Sequence, residues 1–245
     1  MTTHTTRAHA HARYPLLEQP QVAVILAAVS GALNAWTLAN VGSFATVQSG
    51  NIVTAGFYIA DGNVERVVPV VLSVIAFGIG ALLCAVFVTL VLRRRHSYSG
   101  WILAFEAVLL AVCGALAGAG AVPPMAVALA VSFIAGVQGN AFHRDSGMLY
   151  GNTAVTFVVQ MTFSSVGRAA ASRTKAGDGD TPLRIAGLYG SVLLAFAAGA
   201  AAGFLLDTVW SAASLLAVSL TLAGVALFAV LARGSADPDQ NAPTP

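Results

Sequence analysis

Apolar residues run through the chain in long stretches separated by short polar breaks. A helix needs about 20 residues to cross about 30 Å of hydrocarbon. Six stretches meet that length: residues 22–41, 68–92, 101–119, 123–142, 185–206 and 210–231. Two others, 43–60 and 147–167, are apolar overall but polar at heart. The first carries Gln48, Ser49, Gly50 and Asn51 in a row, and the second carries Asn152, Thr153 and Thr156. A lipid-facing helix has no use for such a run. Broken backbone at membrane depth is tolerated only inside protein or beside a watery cavity. These two segments therefore read as re-entrant or broken helices that face each other across a polar site.

The second half echoes the first. Residues 76–81 (AFGIGA) match 195–200 (AFAAGA), and Trp101 matches Trp210 at the head of the last run in each half. Residues 31–35 (GALNA) resemble 136–141 (GVQGNA) with one extra residue. The polar segments allow two registers, Gly50-Asn51 with Gly151-Asn152 or Ser49-Gly50 with Thr156-Phe157. Pairs with small-xxx-small spacing, Gly80/Cys84 and Gly199/Gly203, predict close helix packing.

Charge decides the topology. If all eight apolar segments cross, Arg66 and the residues around 168–184 share a side with the N-terminus, and the basic residues divide eight to four. If the two polar segments enter and leave on one side, only Arg66 of the 12 basic residues lies outside. The positive-inside rule favours the second arrangement. Three crossings per half then make the halves inverted, the plan of many transporters. The expected fold is an all-α integral membrane protein with six transmembrane helices plus two re-entrant segments in two inverted repeats. Residues 22–119 form the first repeat and 123–232 the second. The tails, 1–21 and 233–245, are expected to be disordered and cytoplasmic.

Composition agrees. Hydrophobic residues make up 57% of the chain and charged residues 9%, against about 25% charged in a soluble domain. The net charge of +2 gives no basis for a nucleic-acid partner. Cys84 and Cys113 fall inside apolar runs and read as packing residues. The first apolar run follows a polar stretch without a small-residue cleavage site, so it is expected to remain as a membrane helix.

Candidate chemistry is sparse. Asn34, Gln48, Ser49, Gly50 and Asn51 from one half, with Gln138, Asn140, Asn152, Thr153 and Thr156 from the other, are the candidates for a solute pathway. They offer donors and acceptors without fixed charge, which suits a small neutral polar solute or an anion. The bland reading of the same amides is glue between helices. Glu106 is the one carboxylate well inside a run. It reads either as a proton or substrate contributor or as half of an interfacial ion pair. Asp207, at a helix end, reads as solvated. His4, His9 and His11 have no acidic or thiol companions and suggest no metal site. With no HExxH and no carboxylate pair in a span, no enzymatic activity and no cofactor are expected.

Residues 31–35 (GALNA) and 44–51 (FATVQSGN), with 136–141 (GVQGNA) and the Thr-rich 152–156 (NTAVT), resemble the YoaK-type family of bacterial membrane proteins of unknown function. The resemblance spans about 22–231 and implies a multipass membrane fold without naming a substrate. Members often carry Asp where this chain has Asn34, and Thr-Gly where it has Ser49-Gly50 and Thr156-Phe157. Their Gln-Asn pair is split here by Gly139. The expected function is a transporter or channel in the bacterial inner membrane, with lipid and a small solute as partners and a homo-oligomer left open. The alternative is a non-transporting scaffold or sensor.

Overall fold

The computed structural model describes residues 20–93, 99–141, 155–171 and 181–231, and within them the chain is helical with no strand. The elements are α1 (Pro20–Val41), α2 (Gln48–Ala60), α3 (Val64–Arg93), α4 (Ser99–Gly118), α5 (Pro124–Ala141), α6 (Val155–Ala171), α7 (Pro182–Val209) and α8 (Ala213–Leu231). Residues 1–19 and 233–245 of the predicted tails, Asn152, Thr153 and the basic residues of 172–180 lie outside the described residues, while Pro20 and Gln21, expected in the disordered tail, open α1.

Six helices, all but α2 and α6, are long and apolar enough to cross a membrane. They carry apolar residues over most of their circumference, as expected where one side meets protein and the other lipid. The exposed ring is large and apolar: Ile79, Leu83, Phe87, Phe105, Val108, Leu194, Phe204 and Leu227 all face outward. A water-facing surface of that kind would be untenable, and a lipid-facing one is ordinary. The chain is a multipass helical membrane protein.

Two helices start earlier than the apolar pattern indicates. α3 begins at Val64, with Pro69 inside it. The carbonyl that Pro69 leaves unbonded belongs to the first turn, where the cost of a helix proline is smallest. α7 begins at Pro182 behind Thr181, whose hydroxyl accepts the Arg184 N–H at 3.3 Å. A serine/threonine cap followed by proline is a start signal that hydropathy does not register.

The helices pack in the order α2–α3–α5–α1–α7–α6, and α4 and α8 pair across the back of α5 and α1. Exchanging the first four helices with the last four leaves this order unchanged. The close contacts obey the same exchange. A Cβ added to Gly31 would lie 2.0 Å from the Phe196 carbonyl oxygen, and one added to Gly136 would lie 2.0 Å from that of Phe77. Gly80 sits equally close to the Phe133 carbonyl and Gly199 to that of Ala28. Backbones meet there with no room for a side chain, which is how helices bind tightly without help from water.

The direction of each pair is also fixed. Gly199 meets Ala28 and Gly203 meets Ala32, so α1 and α7 run parallel. Ser73 meets Ser132, and Cys84 and Val88 cluster with Val137 and Ala141, so α3 and α5 run parallel. α4 and α8 are antiparallel: Gly118 lies against Ser211, Gly114 against Leu215 and Leu216, and the Ser219 hydroxyl donates to the Ala107 carbonyl at 2.7 Å. Consequently α1 ends, α3 begins, α4 ends and α8 begins at one end of the bundle. At that end Asp207 accepts the Ser214 N–H at 2.9 Å and its hydroxyl at 2.7 Å. The expectation of a merely solvated Asp207 is corrected by this contact. The carboxylate caps α8 at its positive end.

Candidate functional site

The link between α1 and α2 is the site's foundation. α1 stops at Gly42, whose φ of 71° suits glycine and whose N–H returns to the Leu38 carbonyl at 3.1 Å. Residues 43–47 then run without helix, and their polar backbone is buried: Ser43, Ala45 and Thr46 have almost no exposure. Thr46 is level with Asn34, seven residues before the end of α1. At 1.5 Å per residue, the link has therefore travelled back along α1 by about 10 Å. α2 starts there and climbs 13 residues to the turn at Asp61, which caps it by donating its N–H to the Phe57 carbonyl at 2.9 Å.

Side-chain amides satisfy the buried link. Asn34 Nδ2 donates to the Ser30 carbonyl at 2.9 Å and to Thr46 Oγ1 at 2.6 Å, and Asn34 Oδ1 accepts the Thr46 N–H at 3.0 Å. Gln48 Nε2 donates to the Ala45 carbonyl at 2.7 Å. Asn51 Oδ1 accepts the Phe44 N–H at 2.9 Å, while its Nδ2 donates to the Phe44 carbonyl at 2.7 Å and to Gln48 Oε1 at 2.8 Å. From Asn51 the network passes to Ser73 Oγ at 3.2 Å and from Ser73 to Ser132 Oγ at 2.8 Å. Ser73 also donates to the Phe44 carbonyl at 2.8 Å. Four helices, α1, α2, α3 and α5, are thus joined to the link by hydrogen bonds. An orphaned buried N–H or C=O costs about 1–3 kcal/mol, so this saturation is what lets non-helical backbone sit there.

The sequence candidates divide accordingly. Asn34, Gln48 and Asn51 are brought together. Gly50 lies beside them with the Phe44 ring 3.1 Å from where its Cβ would be, so only glycine leaves that ring its place. Ser49 is exposed on the first turn of α2. Gln138 joins none of these and instead donates to Glu106 Oε2 at 3.0 Å, inside the α4–α5 contact. Asn140 is half-buried on α5, whose Val137 and Ala141 cluster with Cys84. Thr156 is exposed on the first turn of α6. α2 lies against α3 and α6 against α7, at opposite ends of the helix row.

Thr46, Ser73 and Ser132 are participants that sequence reading did not single out. A lone serine in an apolar helix usually bonds its own preceding turn, as Ser30 does with Leu26 at 2.9 Å. Nothing in the sequence around Ser73 distinguishes it from that case.

The register of the two polar segments follows from the contacts each makes with its neighbouring helices. The reciprocal glycine contacts make Val192 the counterpart of Ser73 and Ala27 that of Ser132, so Asn51 corresponds to Val158 and Ser49-Gly50 to Thr156-Phe157. Asn51 meets Ser73 and Ser132, whereas Val158 clusters with Val192 and Ala27, which occupy the corresponding places on α7 and α1. One half therefore holds this junction with hydrogen bonds and the other with apolar packing.

Beside the link lies a cavity of about 420 Å³ lined by Asn34, Leu38, Phe44, Val47, Phe196 and Phe204. A second, of about 320 Å³, opens between α3, α4 and α5 and is lined by Cys84, Phe87, Trp101, Ile102, Phe105 and Val137. No group of three or more metal-ligating side chains occurs among the described residues.

The model of a family described as proteins of unknown function, DUF1275, matches residues 22–229, nearly the whole membrane region. The chain belongs to the DUF1275 family. That match agrees with the resemblance drawn from the motifs at 31–35 and 44–51. Neither the curated proteins nor the solved structures contain a match. The DUF1275 match covers both halves, so α1 to α8 all lie in the family region except the first and last residues of the bundle.

Proposed function

We propose that this DUF1275 protein is a transporter or channel for a small polar or anionic solute. In this reading six helices cross the bacterial inner membrane, residues 43–60 and 147–167 re-enter, the two halves are inverted, and both termini are cytoplasmic. The observation that carries the proposal is the course of the α1–α2 link. It leaves and regains one end of the bundle, and between those points a helix begins about 10 Å below the end of α1.

A helix that starts inside the bilayer presents N–H groups and a positive dipole end at depth, where transport folds hold polar or anionic solutes. The antiparallel α4–α8 pair and the reciprocal glycine contacts support the inverted halves. Eleven of the 12 basic residues then share the cytoplasmic side. Asn34, Gln48 and Asn51 serve as the frame that fixes the link, their hydrogen-bonding capacity being spent on it. We place the solute path beside that frame, at the cavity that Asn34, Phe44 and Phe196 border. The reading includes no enzymatic step, cofactor or nucleic acid. Its partners are the bilayer and the solute, with self-association open.

The test is flux through the reconstituted full chain, followed by stopped-flow light scattering with urea, glycerol, chloride and formate as probes. At least one probe is expected to cross faster than in empty liposomes. That flux is expected to fall to background in Asn51→Leu protein that remains monodisperse. Equality with empty liposomes for all four would favour the second reading, a membrane scaffold or sensor. The observation on that side is the saturation of the amides, which structural need alone explains.

A further inference from the structure

Glu106 is fully buried, and its surroundings do not balance a negative charge. Gln138 Nε2 donates to Oε2 at 3.0 Å, while Oε1 has no partner. Among the residues whose side chains are described, the helices around it bring no cation; the side chain of Arg93, which closes α3, lies outside them. α5 offers Gln138 and Asn140, α8 offers Leu215 and Ser219, and α3 offers the Cys84 thiol, which lies within electrostatic reach. A carboxylate withdrawn from water and given one amide hydrogen bond is strongly disfavoured until it takes up a proton or a cation.

The other half supplies an internal control. Glu106 stands five residues after Trp101, and Leu215 stands five after Trp210. Gln138 stands two residues after Gly136, and Leu33 two after Gly31. Leu33 and Leu215 are both fully buried in the main core. The fold therefore closes these two places with leucines in one half. Packing alone does not call for an acid and an amide in the other.

We propose that Glu106, oriented by Gln138, is a reversible proton-binding site within the membrane. The Glu106 carboxyl holds its proton while closed in the α4–α5 contact. It releases the proton when the contact between α3, α4 and α5 opens to water, and rebinds one on closure. The 320 Å³ cavity at Cys84, Ile102 and Val137 shows that the three helices leave unfilled space beside this contact. Within the described part of α4, Glu106 lies in the half nearer the end that the transport reading makes cytoplasmic. The proton site stands by itself; its coupling to a solute rests on the transport reading.

The full chain in nanodiscs would be measured by infrared difference spectroscopy over about pH 5 to 9. Wild type should show a protonated-carboxyl stretch that shifts in deuterium oxide, disappears as pH rises and is absent from Glu106→Gln. Because a single change leaves Gln138 facing an apolar side chain, the second variant is Glu106→Leu with Gln138→Leu, the pair found at the matching places. It should fold as well as wild type and lack the band. A band unchanged by Glu106→Gln, or constant across the pH range, would overturn the proposal. Proton entry into proteoliposomes, read by a trapped pH dye, tests coupling separately. The double variant should lose solute-driven proton entry while a working transporter keeps some flux, and the infrared result stands whether or not flux is found.

Discussion

Asn51 grips Phe44 as a neighbouring strand would, taking its N–H at 2.9 Å and giving to its carbonyl at 2.7 Å. Seven residues separate them, and the chain between makes the turn into α2. The side chain thus replaces a missing ladder partner for a buried stretch of non-helical backbone.

Replacing Asn51 by Leu leaves the Phe44 N–H without a partner, and the Phe44 carbonyl with Ser73 alone. The expected loss is about 2–4 kcal/mol, read as a lower unfolding midpoint in detergent. Asn51→Asp should recover little, since a carboxylate cannot donate to the Phe44 carbonyl. Equal stability of Asn51→Leu and wild type would contradict the role given to this amide.

Asn34→Asp makes a complementary case. The Thr46 N–H would keep its acceptor, but the donations to the Ser30 carbonyl and Thr46 Oγ1 would end. A destabilisation of about 1–3 kcal/mol is expected, relieved at low pH where the acid is protonated and donates one hydrogen bond again. A pH-independent midpoint shift would count against this arrangement.

The reciprocal glycines predict matched penalties. Gly31→Ala and Gly136→Ala each push a methyl into a carbonyl oxygen 2.0 Å away, so the helices must part. Each should cost about 2–3 kcal/mol, and the two midpoints should fall by similar amounts. Gly56, with nothing within 4 Å of its Cβ position, should tolerate alanine.

Asp207→Ala removes the acceptor for the Ser214 N–H and hydroxyl. A loss of about 1 kcal/mol is expected for the cap, with hydrogen exchange increasing at the first turn of α8 and not at α4.

Much of the helix plan was legible because spans announce themselves by length and hydropathy. The run from 22 to 41 ends with α1 at Val41, and the run that begins at 123 starts within one residue of α5. Proline and capping chemistry moved the starts of α3 and α7, which depend on local geometry that an apolar count does not see. The Gln48–Asn51 cluster stood out because amides are rare in hydrocarbon, and three of the four polar positions flagged near α1 and α2 do meet. Their purpose was not legible, because it depends on which carbonyls of residues 44–46 lie within 3 Å. Ser73 and Ser132 were invisible for the same reason. The Glu106–Gln138 contact joins residues 32 positions apart on two helices, and only the packing of α4 on α5 brings them together.

The central claim, a re-entrant first segment in an inverted frame, is tested most directly by placing single cysteines in the turns. Asp61, Ala121 and Ser211 would each be replaced by Cys in a background lacking Cys84 and Cys113. Intact cells would then be treated with an impermeant maleimide. The account predicts that all three positions label from the outside. Labelling at Ser211 alone, with Asp61 and Ala121 reached only after permeabilisation, would mean that residues 43–60 cross the membrane, and would contradict it.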